Sequence, residues 1–246
     1  MIKIIILITK FIITITIALF LNSCNIKTDF GNSKKGNGKF TTEVRNIKNN
    51  FTSIDVESVI EVILEQSDAI FVSVEAESNL QKLIDIKVEN GVLMIEPNES
   101  INATKPIKVT VRMPKIEGLE SSSSSSIKGI GMFSGDSISV DVSSSGEVDV
   151  KLEYDNVTLD ASSSGNIKAK GIALKLETSA SSSGEIEAFD LLVNDVVADV
   201  SSGANIKIHP IVNLNGNASS GGNISYNVEP KSITIDESSG GNVERE

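Results

Sequence analysis

The strongest constraint on this chain is a repeat. SSSGNIKAKG begins at Ser162, SSSGEIEAFD at Ser181, SSGANIKIHP at Ser201 and SSGGNISYNV at Ser219. Take the aliphatic residue after each Ser/Gly cluster as a reference: Ile127, Val148, Ile167, Ile186, Ile206, Ile224 and Val243. Their spacings are 21, 19, 19, 20, 18 and 19. Ten residues before the last six references stand Ile138, Val157, Leu176, Val196, Leu214 and Ile233, all aliphatic. The even offsets are mostly apolar. The odd offsets are polar, with Asp141, Asp160, Ser179, Asp199, Asn217 and Asp236 at seven before. Alternation with a period of two is one face of a strand. A period near twenty with strand alternation inside it is one coil of a β-solenoid per repeat.

The sequence therefore predicts an all-β fold. Residues 120–246 form about seven coils of 18–21 residues. Ser144, Ser163, Ser182, Ser202, Ser220 and Ser239, four before each reference, fall on an even offset. They are expected on the inward side of a corner, with hydroxyls bonding up the stack. The neighbouring Asn and Glu residues (Asn166, Glu185, Asn205, Asn223, Asn242) offer a stacked side-chain ladder. In the last coil, Glu237 and Arg245 occupy inward columns, which suits a polar end to the stack.

Residues 41–119 read as short alternating strands forming an antiparallel part ahead of the coils. Glu89-Asn90-Gly91-Val92 is a type I′ hairpin signal. Ser78 to Ile84 reads as a short helix capped by Ser78 or Asn79.

Met1 to Ser23 combine Lys3, a long apolar run and one further lysine, Lys10. That is the layout of a secretory signal, with a transmembrane anchor as the alternative. Leu21-Asn22-Ser23-Cys24 resembles a bacterial lipobox, which would make Cys24 the acylated, palmitate-bearing N-terminus of a lipoprotein. Residues 24–40 are polar and glycine-rich and read as a lipidated, flexible tether.

Composition narrows the chemistry. The chain has 246 residues, one Cys, one His, no Trp and a net charge of −11. No internal disulfide is possible, and Cys/His metal or nucleophile pairs are disfavoured. An acidic chain lacks the basic face that nucleic acid requires. No residue set asks for a cofactor, a metal or a catalytic role. His209, beside Pro210, is assigned nothing. Two alternatives stay open. The outward column Asp141, Asp160 and Asp199, with Asn217, could hold calcium, or a carboxylate pair within it could act on polysaccharide.

Several stretches resemble one bacterial family. They are Phe51-Thr52-Ser53-Ile54-Asp55-Val56, Val74-Glu75-Ala76-Glu77-Ser78-Asn79-Leu80, Val88-Glu89-Asn90-Gly91-Val92-Leu93, and the repeated Gly165-Asn166-Ile167 and Gly222-Asn223-Ile224. The family is the putative auto-transporter adhesin family with the head GIN domain, and the resemblance runs from about Val44 to Val243. It implies a β-helix-like exported protein, often lipid-anchored, with no motif-defined catalytic residues. The expectation is a non-enzymatic adhesin, binding or scaffold module of the bacterial envelope. Its partners would be the membrane, through the lipid, and an envelope glycan or protein.

Overall fold

Alternating residues in the repeats present one apolar and one polar edge, so each coil can bury the first only by stacking on the next. The computed structural model describes residues 33–246, and Lys34 to Glu246 form a single compact unit. The elements up to the first coils are β1 (Lys34–Lys35), β2 (Phe40–Arg45), β3 (Ser53–Val56), β4 (Ile60–Gln66), β5 (Phe71–Glu77), a 3-10 turn (Gln81–Leu83), β6 (Ile84–Glu89), β7 (Val92–Pro97), β8 (Ile101–Asn102) and β9 (Ile107–Met113). The coils follow as β10 (Gly118–Ser121), β11 (Ser126–Ile130), β12 (Phe133–Val142), β13 (Glu147–Ala161), β14 (Asn166–Ala180), β15 (Glu185–Val200), β16 (Asn205–Ala218), β17 (Asn223–Tyr226), β18 (Ser232–Glu237) and β19 (Asn242–Arg245). This is the all-β solenoid that the repeat predicts, with seven Ser/Gly turns between Ser123 and Gly240.

Every reference residue pairs in parallel with its equivalent in the next coil. Ile127 faces Val148, then Ile167, Ile186, Ile206, Ile224 and Val243 in turn. All seven are buried. The second inward column runs Leu119, Val140, Leu159, Thr178, Ala198, Gly216 and Ile235. Within β13 the in–out alternation holds from Glu147 to Tyr154, and Asp155 and Asn156 are then exposed together. That change of phase turns the strand from one wall of the coil to the other. Two inward aromatics fill the first coils: Phe133 is buried, and the buried Tyr154 phenol donates to the Ile116 carbonyl at 2.8 Å. Burial, with the charge of Glu117 second, pushes that phenol up to about 12.

The expected antiparallel pairings are present: β2 with β5, β5 with β9, and β6 with β7 through the Asn90-Gly91 turn. The parallel stack, however, also runs into this region. β3 and β4 pair in parallel with β10 and β11, and β7 and β9 pair in parallel with β3 and β4. Both inward columns thus gain two further layers, Ile54 and Leu93 on one wall, Val62 and Val109 on the other. The chain lays down the second layer first, then the end layer, then returns to the third. The antiparallel strands β2, β5 and β6 close the edges of the end layer, which a bare solenoid would leave open.

The helix expected at 78–84 is only the 3-10 turn, entered at Leu80 with no side-chain cap. Ser78 and Asn79 serve another purpose. Asn37 donates its amide N–H to Asn79 Oδ1 at 3.0 Å and its Nδ2 to Ser78 Oγ at 2.9 Å, and Asn79 Nδ2 donates to the Lys35 carbonyl at 2.8 Å. Together with β1 pairing on β8, these bonds fix the chain from Lys34 onward, inside the stretch read as tether. The buried Glu77 carboxylate accepts from Gly38 N at 2.6 Å and from Thr104 N and Oγ1 at 3.0 and 2.9 Å. Those donors hold its pKa below the usual carboxylate value, the Thr104 backbone N–H contributing most.

Candidate functional site: two outer walls and a bulge

The serine turns correct the sequence reading. Ser144, Ser163, Ser182, Ser202, Ser220 and Ser239 are exposed, with φ between 49° and 54°. Each is the first central residue of a tight turn whose second central residue, Ser145, Ser164, Ser183, Gly203, Gly221 or Gly240, also has positive φ. The turn closes from Gly146 N to Ser143 O at 2.8 Å, and its equivalents repeat this. Two left-handed residues in succession make a type I′ turn, so the inward side falls two residues later. Gly165 stands there, and a Cβ on it would lie 2.4 Å from the Val142 carbonyl oxygen. The tips are joined up the stack by backbone, not by hydroxyls: Ser145 N donates to Ser163 O at 3.1 Å and Ser164 N to Ser182 O at 3.2 Å. Of the expected side-chain ladder two rungs form, Asn166 Nδ2 donating to Glu185 Oε2 at 3.4 Å and Asn223 Nδ2 to Asn205 Oδ1 at 3.2 Å.

On the wall ending in these turns, the acid column points outward as expected. Asp55, Glu120, Asp141, Asp160, Ser179, Asp199, Asn217 and Asp236 stack in register. Ser179 donates to Asp160, and Asn217 Nδ2 donates to Asp199 Oδ1 at 2.7 Å. Partial burial, and then the neighbouring Asp160 charge, raises the Asp141 pKa. Asp199, Asn217 and Asp236 line an open groove of about 310 Å³ beside Ser201, Ser219 and Ser238. Among the described residues, no three acidic, His or Cys side chains come together as a metal ion would need. Ser179 and Asn217 interrupt the acid run, so the column forms hydrogen-bonded rungs instead.

The opposite wall is built differently. Its outward column alternates in sign, Lys128, Asp149, Lys168, Glu187, Lys207, each in register with the next. Between Glu120 and Val228 the chain has six lysines and no arginine, and five of the lysines stand on this wall (Lys128, Lys151, Lys168, Lys170 and Lys207). Here the register also breaks. β15 carries extra residues between Ala188 and Leu192 relative to β16, and slips against β14 near Lys170. Phe189 lies in this bulge, and His209 and Asn227 side chains meet its carbonyl at 3.1 and 3.3 Å. His209 thus has a structural partner that its sequence neighbours did not suggest. The bulge does leave a trace in the sequence: the spacing from Ile186 to Ile206 is 20, not 19.

Residues 50–230 match the model of the family described as "Putative auto-transporter adhesin, head GIN domain". The chain belongs to this family. Solved structures share the head GIN fold over nearly their whole length. A "putative adhesin" from Bacteroides fragilis is 19% identical with a TM-score of 0.81, over 86% of this chain and 99% of that one. A "putative lipid binding protein" from Parabacteroides distasonis is 22% identical with a TM-score of 0.70, over 87% and 100%. A "putative adhesin" from the same species is 25% identical with a TM-score of 0.70, again over 87% and 100%. No curated protein matches the chain significantly. Cys24 lies outside the described residues.

Proposed function

We propose that this head GIN protein is a non-enzymatic binding module of the bacterial envelope. It is exported, held at the membrane by a lipid on Cys24, and meets an envelope glycan or protein through the outer walls of its solenoid. The observation that carries this reading is the in-register repetition of outward groups. The polar column Glu120, Asp141, Asp160, Ser179, Asp199, Asn217 and Asp236 on one wall, and the alternating Lys and Asp/Glu column on the other, recur at the interstrand spacing of about 4.8 Å. Such rows offer many equivalent weak contacts to a repetitive partner, and their avidity exceeds that of any one contact. Membership of an adhesin-named family supports the same reading.

Cells expressing the full chain, compared with Cys24→Ala cells, test it on surfaces coated with envelope polysaccharide or envelope protein. The reading predicts retention of wild-type cells on one of these coatings, with retention lost in Cys24→Ala while the protein appears in the medium. Equal retention of both strains, or of neither, would contradict it.

A further inference from the structure

The bulge at Phe189 opens a cleft of about 430 Å³ lined by Lys168, Lys170, Lys207, Glu187, Asp190 and Phe189. Three observations set it apart from the rest of the surface. First, from Pro114 onward the chain has four aromatics, and Phe133, Tyr154 and Tyr226 are buried, which leaves Phe189 as the one partly exposed ring. Second, three lysines face it in a chain whose net charge is −11. Third, the bulge is held from outside itself, since side chains of the next two coils meet the Phe189 carbonyl. Bulges that re-aim a side chain at a cleft are a recurrent way of building a site on a regular sheet.

The charges define what fits. Glu187 is shared by Lys168 and Lys207, each at 4.0 Å, and Asp190 pairs with Lys170 at 3.1 Å. Three ammonium groups against two carboxylates leave one positive charge. The longer contacts leave the N–H groups of Lys168 and Lys207 free to take a further acceptor. One excess positive charge suits a monoanion. Lysine presents a point charge without the planar fork by which arginine grips phosphate in two places. Phe189 gives a flat apolar surface, with Lys207 Nζ 5.9 Å from the ring centre. A pyranose ring that lays its C–H face on Phe189 would place a carboxylate at its edge within reach of the lysines. We infer that the Phe189 cleft binds a carboxylated sugar, a uronic acid residue of an acidic polysaccharide. This rests on the binding-module reading above and names the partner for one wall.

The experiment titrates the full chain, purified in detergent, with tri-galacturonic acid and with its neutral methyl ester. The acid is expected to bind at least about tenfold more tightly than the ester, and to weaken as salt is raised. Phe189→Ala and Lys207→Gln should each lose about tenfold, while Lys175→Gln on the other wall changes nothing. Thermal melting separates loss of the cleft from loss of the fold, and Lys207→Gln leaves the bulge backbone untouched. Equal binding of acid and ester, no binding of the acid, or full binding by both variants would overturn the inference. A glycan array run in parallel separates the two readings. A ligand bound equally by wild type and Phe189→Ala overturns this cleft and leaves the binding module standing. An array without any ligand also overturns the cleft, and the binding module then fails only if the cells are retained on neither the polysaccharide nor the protein coating.

Discussion

Thr178 is the one member of its inward column that carries a hydroxyl, and its Oγ1 is buried with no hydrogen-bond partner. An unpaired buried hydroxyl costs about 1 kcal/mol or more. Thr178→Val keeps the shape and removes that cost, so denaturant unfolding should show a gain of about 1 kcal/mol. Asp55 is the titrating counterpart. Burial first, then the charges of Glu120, Glu57 and Glu96, push its carboxyl from 3.8 up to about 6. Between those values the folded chain holds a proton that the unfolded chain has released. The stabilisation is therefore present at low pH and lost as pH rises through 6. Asp55→Asn should raise Tm at pH 8 and change it little at pH 4. Solvent screens the outer side of this group, so the gain at pH 8 should be about 1 kcal/mol. Neither residue was legible from sequence as a weak point. Both sit at ordinary alternating positions, and only their neighbours along the stack make them costly.

At the scale of elements, the inward columns were readable because each residue stacks on its own equivalent one period later. The serine turn was misread for an equally physical reason. Counting even offsets through a turn assumes extended backbone, and two successive residues at positive φ end that count. Ser163 at φ 49° and Ser164 at φ 62° show the effect. Left-handed backbone costs about 1–2 kcal/mol per residue, more for a β-branched side chain. Ser163→Val, at an exposed tip with no packing to lose, should therefore lower stability by about 1–2 kcal/mol in thermal or urea unfolding, while Ser163→Gly should be neutral or better. The strands β3, β4, β7 and β9 were legible as strands but not as stack layers. Alternation reads the same in a parallel and an antiparallel partner, and the chain skips a layer before returning to it. The candidate cleft was legible only as one extra residue in the spacing. Its lysines come from two coils, Lys168 and Lys170 from β14 and Lys207 from β16, with Phe189 and the two carboxylates on the coil between, and nothing local marks them as neighbours.

Across the whole molecule, each coil touches chiefly the two beside it, so stability should be close to a sum over coils and interfaces. Deleting residues 166–184, one period, joins Gly165 to Glu185 at equivalent positions. That chain should fold with a single cooperative transition and a Tm lowered by a few degrees. It also sets Asp149 beside Glu187, so adding Glu187→Lys should recover part of the loss. Deleting residues 166–175, about half a period, should abolish folding, because every later side chain would change walls. The central claim concerns where such a rod is held. Mass spectrometry of the N-terminus in the membrane fraction, wild type against Cys24→Ala, tests it most directly. The account predicts a mature chain beginning at Cys24 with a diacyl or triacyl mass, absent from the variant. A chain that still begins at Met1, or a shorter product without lipid, would contradict it.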